Sequence, residues 1–230
     1  GIDHVASIVS HDLRNPLDVA KAHRRAAAET GDREHFEAMA DAHERMETII
    51  SDVLTLARGE SVVDPVGDIS IERAVEDAWQ SVDTERASLS VASGLPEPTA
   101  DPDRLRRLFE NLFRNAVEHG STNPRSHTPG DAVEHSAPNA ADANPAEDSV
   151  EVVVEALEDG FAVADDGPGI PPAKRDAVFE AGYTTHDRGT GLGLAIVKRI
   201  VDAHGWSISL TEAECGGARF EVRFDRQTDD

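Results

Sequence analysis

Two glycine-rich segments constrain the fold of this chain more than any other feature. The first follows an apolar run typical of a strand, and the second opens an apolar-periodic run typical of a helix. Glycines before a helix let backbone N–H groups approach phosphate oxygens, and the helix N-terminus adds partial positive charge. The segments are Asp165-Asp166-Gly167-Pro168-Gly169-Ile170 and Gly189-Thr190-Gly191-Leu192-Gly193-Leu194. Neither a Walker A loop nor a strand-G-x-G-x-x-G-helix unit is present, so we expect a phosphate-binding fold of another kind.

The carboxylate of Asp165 comes at the end of the expected strand. It is suited to accept a hydrogen bond from an adenine amino group. The alternative is that Asp165 only caps a turn, because Asp-Gly pairs are common in turns.

Asn111 and Asn115 lie four residues apart in a helical pattern, which places both carboxamides on one face. A carboxamide oxygen is a hard ligand suited to Mg²⁺, which needs few protein ligands when a triphosphate supplies the rest. An isolated pair of this kind usually faces solvent. Together with the two glycine segments, the pair predicts a magnesium site.

The first 58 residues predict two helices joined by a turn at residues 30–32, because apolar residues recur there at helical spacing. The second helix carries a heptad pattern, which is typical of a seam buried against other helices. Two such helices cannot bury both apolar stripes alone, so we expect a homodimer forming a four-helix bundle. We interpret the histidine in the seam as a core or rim residue and not as a ligand. The heptad positions are Phe36, Met39, His43, Met46, Ile50, Val53 and Ala57.

His11 stands beside Asp12 in the first helix. An imidazole nitrogen becomes a good nucleophile when the other ring nitrogen donates to a carboxylate, so Asp12 is the natural partner. Taken alone, His11 is better explained as a surface histidine on an acidic helix.

The rest of the chain predicts an α+β sandwich in which helices cover one face of a single mixed sheet. A linker at 59–68 precedes this domain, which runs over 69–226, and the Pro-, Asn- and Ser-rich segment 121–149 reads as a flexible insertion. The expected helices span 71–81, 102–119 and 191–203, and the expected strands span 66–70, 87–92, 150–157, 161–165, 207–211 and 218–224.

Composition excludes some functions. Acidic residues number 45 against 22 basic ones, giving a formal charge of −23, which argues against nucleic-acid binding. The cations are mostly arginine, so the acidic surface indicates a halophile, here a haloarchaeal source; an ordinary acidic protein is the alternative. A single cysteine, Cys215, excludes a disulfide framework and indicates a reducing compartment. No apolar run is long enough to cross a membrane.

In combination, these segments resemble the sensor histidine kinases of two-component signalling. The resemblance covers nearly the whole chain and places five motifs in the family's order: SHDLRNPL, NLFRNAVEHG, DDGPGI, VFEAGYTT and GTGLGLAIV. It implies that residues 1–58 form the dimerisation and histidine-phosphotransfer hairpin and that the following domain is a Bergerat-type ATP-binding domain. The sequence begins at Gly1 directly in an apolar-periodic stretch, so we expect a fragment of a longer, cytoplasmic protein. The resemblance implies that the preceding part is a sensory domain that can be tethered to the membrane.

The resemblance implies a role for each motif residue. His11 accepts the γ-phosphoryl group, Asp12 is its base, and Asn15 positions water in the phosphatase reaction. Asn115 holds Mg²⁺ with support from Asn111, and Asp165, Gly167 and Gly169 read adenine. The phosphates lie along Gly189, Thr190, Gly191, Leu192 and Gly193, while Phe179 and Tyr183 anchor a lid over 171–188. Glu118 stands where many members carry lysine, so Arg188 is our candidate for the replacement cation.

The expected activity is ATP-dependent autophosphorylation followed by transfer to an aspartate of a response regulator. One alternative is a catalytically silent dimeric scaffold that docks response regulators. A second is a hydrolytic ATPase of the shared fold, which Asn111 disfavours because related ATPases carry a glutamate base at that position.

Overall fold

The computed structural model describes residues 2–57, 67–82, 84, 86–120, 149–184 and 189–224. The chain divides into two compact units. One comprises residues 1–62 and 176–199, and the other comprises residues 63–175 and 200–230.

The N-terminal segment forms a hairpin of two long helices, as predicted. Helix α1 spans Ile2–Thr30 and continues through Pro16, and α2 spans Arg33–Ala57. Gly31 makes the turn with a φ of 72°, and its N–H donates to the Ala27 carbonyl at 2.9 Å. A left-handed residue directly after a helix is the usual glycine stop, which explains why the break falls there.

The side chains buried in the hairpin lie beside the predicted heptad and not on it. Ala42 and Ile49 of α2 are buried, each one residue before a heptad position. The heptad positions Phe36, His43 and Ile50 are exposed, and Met39, Met46 and Val53 are half-buried; the side chain of Ala57 is outside the described residues. The heptad therefore remains largely open to solvent in the single chain.

The second unit is built on a five-stranded sheet of order β1-β2-β3-β5-β4, in which only the β1–β2 pair is parallel. The helices are α3 (Ile71–Gln80), α4 (Pro102–Gly120) and α5 (Gly193–Ala203), and residues 193–199 of α5 are assigned to the first unit. The strands are β1 (Ala87–Val91), β2 (Val150–Leu157), β3 (Gly160–Asp165), β4 (Ser207–Glu212) and β5 (Ala218–Arg223). Short 3₁₀ turns occupy Pro172–Lys174 and Ala177–Phe179.

Aromatic rings connect the helices to one face of the sheet. Phe109 and Phe113 of α4 are fully buried, and Phe109 lies 5.0 Å from the Phe161 ring of β3. Trp79 of α3 meets Phe113 edge-on at 5.2 Å. Because α4 packs on both α3 and the sheet, the residues of α4 that face the sheet are fixed by this core.

Charged side chains cover the other face of the sheet. Ala162 and Ala164 of β3 are buried although they alternate with the core-facing Phe161 and Val163. Arg219 of β5 donates to Glu155 of β2 and to Glu221 of its own strand. Small alanines on the central strand leave room for these longer side chains to lie across it.

The predicted α+β sandwich with helices on one face is therefore confirmed. The expected strand at 66–70 is wrong for the described residues 67–70. Ser70 is instead the N-cap of α3 and accepts the Arg73 N–H at 3.3 Å, so the chain is already turning into the helix. Residues 121–148 of the expected insertion, and residues 59–66 of the expected linker, lie outside the described residues.

Candidate functional site

His11 lies on α1 with its side chain 75% exposed. Its Nδ1 is 3.1 Å from Oδ1 of Asp12. A neutral imidazole that donates through Nδ1 carries its lone pair on Nε2, so this contact selects the tautomer with a nucleophilic Nε2. Asn15 is also exposed and lies one turn further along the helix. The predicted His11–Asp12 contact is present.

The two asparagines of α4 differ in their surroundings. Asn111 is only 3% exposed, and its Nδ2 donates to the Arg107 carbonyl at 2.8 Å. Its Oδ1 is buried and meets no hydrogen-bond donor among the described residues. Asn115, one turn later, is half-buried. A buried hydrogen-bond acceptor without a partner destabilises the folded protein. A cation, a water or a donor group of a ligand that binds Oδ1 of Asn111 would therefore stabilise it.

These carboxamides fit Mg²⁺ by their chemistry, since both offer a neutral, hard oxygen from a rigid helix. Within the described parts of the chain, no group of three or more His, Cys, Asp and Glu side chains could hold a metal. The unsatisfied oxygen belongs to Asn111, whereas the family resemblance assigns Mg²⁺ to Asn115 with Asn111 only in support.

Asp165 closes β3 and is 8% exposed. Its Oδ1 accepts the Gly167 N–H at 3.0 Å and the Ala218 N–H at 3.1 Å. Burial raises the pKa of this carboxyl group above its usual value, against the opposing effect of the two N–H groups, and neighbouring Asp166 raises it further. The bond to Gly167 is the turn-capping bond of the alternative interpretation, while the bond to Ala218 reaches across 53 residues.

An open pocket of about 600 Å³ lies beside this strand end. It is lined by Glu151, Val153, Ala164, Asp165, Asp166, Gly167, Cys215 and Gly216. Three of these side chains are carboxylates and none is a cation, so the pocket is a poor place for a triphosphate.

Close backbone contact holds the second glycine segment against the preceding turn. The Gly182 N–H donates to the Gly191 carbonyl at 2.9 Å. A Cβ on Gly191, whose φ is 65°, would lie 2.6 Å from the carbonyl carbon of Gly182. No other residue fits at Gly191, because both its dihedral angle and its contact exclude a side chain.

Helix α5 begins at Gly193, two residues later than predicted. The Leu192 N–H donates to Oγ1 of Thr190 at 3.3 Å, and the Leu192 carbonyl accepts the Ile196 N–H. The first N–H groups of a helix have no carbonyl partner within it, so they are available to an anion.

The structure describes the expected lid only in part, over residues 171–184. Val178 is the buried residue of the 3₁₀ turn, while Phe179 and Tyr183 are half-buried. Arg188, the candidate replacement cation, lies outside the described residues. Gly217 and Ala218 contact Asp165, but the sequence analysis did not single them out. The only signal in the sequence is the run Gly216-Gly217-Ala218 after β4, which indicates a tight turn.

Residues 100–228 match the family of histidine kinase-, DNA gyrase B- and HSP90-like ATPases, and residues 3–62 match the His kinase A phospho-acceptor domain. The chain belongs to the two-component sensor histidine kinases. This kinase is 29% identical over 234 residues to the sensor histidine kinase ZraS of Escherichia coli O157:H7. It is 32% identical over 236 residues to the sensor-type histidine kinase PrrB of Mycobacterium leprae.

The alignments cover 96% and 95% of this kinase but only 45% and 46% of those relatives, so the chain spans about half their length. Among solved structures, the Acinetobacter baumannii histidine kinase AdeS covers 93% of the chain with a TM-score of 0.62. The match covers 96% of that structure at 18% sequence identity, so it shows a shared fold and nothing more specific. In the part of the kinase that the structure describes, no helix has the length and apolarity to cross a membrane.

Proposed function

We propose that this chain is the core of an autophosphorylating protein-histidine kinase, in which ATP bound by the C-terminal domain phosphorylates His11. The observation that carries this proposal is the exposed His11 with its Nδ1 against Asp12. A histidine on the outside of a helix can enter a nucleotide site on another domain, which a buried histidine cannot.

The reacting groups of the proposed step are His11, Asp12 and ATP. The Nε2 lone pair of His11 attacks the γ-phosphorus, and the bond from that phosphorus to the bridging β-phosphate oxygen breaks, releasing ADP. The imidazole ring becomes positively charged as the N–P bond forms, and Asp12 stabilises this charge or takes the Nδ1 proton. Asn15 would position a water for a separate phosphatase reaction, in which the water attacks a phosphoryl group and releases inorganic phosphate.

The ATP-binding domain contributes orientation and charge neutralisation, which dominate catalysis of phosphoryl transfer. Asp165, with Gly167 and Gly169 in its loop, would accept the adenine amino group. Gly189, Thr190, Gly191, Leu192 and Gly193 would bind the phosphates through backbone N–H groups, with Phe179 and Tyr183 anchoring the lid. Asn115 and Asn111 would hold Mg²⁺, and a bound Mg²⁺ would neutralise the developing charge on the phosphate oxygens.

We also propose that the chain acts as a homodimer through its hairpin. The exposed large apolar side chains among the described residues all lie on α1 and α2: Leu17, Val19, Phe36, Ile50 and Leu54. A second hairpin would cover them and complete a four-helix bundle. The acceptor of the phosphoryl group would be an aspartate of a response-regulator receiver domain, and the place of action the cytoplasm.

The test is transfer of label from γ-labelled ATP with Mg²⁺ in molar KCl. We expect acid-labile, alkali-stable label on the chain and its loss in His11→Gln. The control is His43→Gln, which removes an exposed histidine from the other helix and should label normally as long as sedimentation velocity shows that the dimer is kept.

The alternatives give different results in the same assay. Binding of ATP without any label would favour the silent scaffold. Release of free phosphate that survives His11→Gln would favour the hydrolytic ATPase, and Asn111, which replaces the expected base, argues against that outcome.

A further inference from the structure

Two histidine rings meet within the helical hairpin, near its turn. His23 of α1 and His35 of α2 are both half-buried, and their Nδ1 atoms lie 3.1 Å apart. The ring centroids are 5.2 Å apart, and the ring planes are inclined by 60°. Neither ring takes part in the proposed phosphoryl transfer to His11.

Both histidines occupy positions at which the two helices pack on each other. His23 follows Ala20 by three residues and precedes Ala27 by four, and both alanines are buried. His35 precedes the buried Ala42 of α2 by seven residues. Residues at these spacings share a helix face, so the packing of α1 on α2 brings the two rings together.

A hydrogen bond between two Nδ1 atoms needs a hydrogen on one ring and a lone pair on the other. Among the described residues, this contact is the only hydrogen bond that either ring makes. Because no other described partner fixes the tautomer, both rings can carry their hydrogen on Nε2 and direct a lone pair from Nδ1. Two lone pairs at this distance repel each other unless a cation binds both.

The distance between the two nitrogens suits a metal chelate. Metal–imidazole bonds are about 2.0–2.1 Å long, so nitrogens 3.1 Å apart subtend about 98° at a shared ion. This angle lies between the roughly 90° of an octahedral or square-planar ion and the roughly 109° of a tetrahedral one. The torsion about the Cβ–Cγ bond of histidine is broad, so the rings can turn both lone pairs towards one point.

The donor atoms select the class of cation. Neutral imidazole suits Ni²⁺, Cu²⁺ and Zn²⁺, whereas Mg²⁺ prefers oxygen ligands. Among the described residues, no third His, Cys, Asp or Glu side chain joins the pair, so water would complete the coordination. Such a site exchanges its ion with the solution, unlike a structural site closed by four protein ligands.

We propose that His23 and His35 chelate a divalent transition-metal ion, which links α1 to α2 beside the turn at Gly31. The two histidines are twelve residues apart in the chain and meet only when the hairpin folds. The ion therefore binds the folded hairpin in preference to the unfolded chain and stabilises it. This site does not depend on the proposed kinase activity, because it uses neither ATP nor His11.

The experiment titrates Ni²⁺ into the whole chain by calorimetry, with excess Mg²⁺ and molar KCl to occupy and screen the carboxylates. We expect one Ni²⁺ per chain at this site, with a dissociation constant that rises about ten-fold or more in His23→Gln and equally in His35→Gln. The double variant should bind no more weakly than either single variant, because losing one ligand already destroys the chelate. His11→Gln, which removes an exposed histidine of α1, should bind like the unmodified chain.

A spectroscopic measurement on the unmodified chain identifies the ligands even if a glutamine variant does not fold. Octahedral Ni²⁺ is paramagnetic, so one equivalent should broaden the ring NMR signals of His23 and His35 and leave those of His11 sharp. Broadening of other histidine rings in place of these two would overturn the proposal. So would unchanged Ni²⁺ binding in both single variants, or independent losses that add in the double variant, because either result means that the two rings do not share one ion.

Discussion

His204 directly follows the last residue of α5, and each nitrogen of its ring forms a hydrogen bond with the backbone. Its Nε2 accepts the Asp101 N–H at 3.1 Å, and its Nδ1 lies 2.7 Å from the Ile200 carbonyl. Asp101 in turn caps α4 by accepting the Asp103 and Arg104 N–H groups on Oδ1. Only the neutral ring with its hydrogen on Nδ1 makes both bonds, so His204 supports the start of α4 in one protonation state.

This arrangement predicts a pH dependence of stability. Burial lowers the pKa of His204, against the opposing effects of the Ile200 carbonyl and Asp101, and Arg104 lowers it further. Because the unfolded chain binds the proton more readily, the contribution of His204 is present above its ordinary pKa of about 6.5 and is lost as pH falls below it.

Chemical denaturation between pH 7.5 and 5.5 measures the effect. We expect the free energy of unfolding to fall less steeply with acidification in His204→Gln, whose amide oxygen can still accept the Asp101 N–H but does not titrate. His11→Gln, which removes a histidine of α1 whose side chain is 75% exposed, should follow the unmodified chain. Parallel curves for all three proteins would contradict the assignment.

At the scale of elements, the hairpin separates two apolar surfaces on α2. Ala42 and Ile49 are buried, while Phe36, Ile50 and Leu54 are exposed. Residues seven or four apart share a helix face, so the exposed three form one stripe. A stripe of this kind on a helix pair is where a second hairpin would pack.

Ile50→Glu tests that stripe. Placing a carboxylate in a buried bundle seam without a partner is costly, so we expect the dimer dissociation constant to rise by about ten-fold or more. Sedimentation velocity over a concentration series measures it. Thr48→Glu adds the same charge to the same helix about 200° around from Ile50 and should leave the dimer intact. A chain that sediments as a 24.7 kDa monomer before any substitution would show that the hairpin does not dimerise.

At the scale of the whole molecule, charge is the dominant feature. The formal charge is −23, and some of the 22 basic side chains already form ion pairs at the sheet. Arg219 and Arg223 both donate to Glu221, and Arg223 also donates to Asp159. The hydrogen bond from Arg219 is the main cause that holds the pKa of Glu221 below its usual value, against burial and with help from Arg223. The remaining acidic surface repels itself at low salt.

We therefore expect the melting temperature to rise between about 0.1 M and 1 M KCl, as the Debye length falls from about 10 to 3 Å. Calorimetry or circular dichroism measures it. A variant in which Glu34, Asp41 and Glu44 become neutral amides, changing the charge from −23 to −20, should show a smaller rise. A melting temperature that does not depend on the KCl concentration would contradict the interpretation of the acidic surface as a salt adaptation.

Local patterns in the sequence determined most elements of this kinase. Helical spacing, the Gly31 stop and strand alternation place the ends of both hairpin helices, of α4 and of β2 within about a residue or two, because each depends on neighbouring residues only. The chemical identity of His11, Asn111, Asn115 and Asp165 as candidate site residues likewise follows from residue type and spacing.

Only the tertiary structure decided how those residues are held. The strand order, the burial of the Asn111 oxygen and the contact of Gly217 and Ala218 with Asp165 join positions far apart in the chain. Spacing within a segment does not specify which distant backbone N–H meets a given carboxylate, because register and packing are set by the whole sheet and its core. The same reason explains the error at residues 67–70, where an apolar pattern resembled a strand but the capping of α3 by Ser70 prevailed.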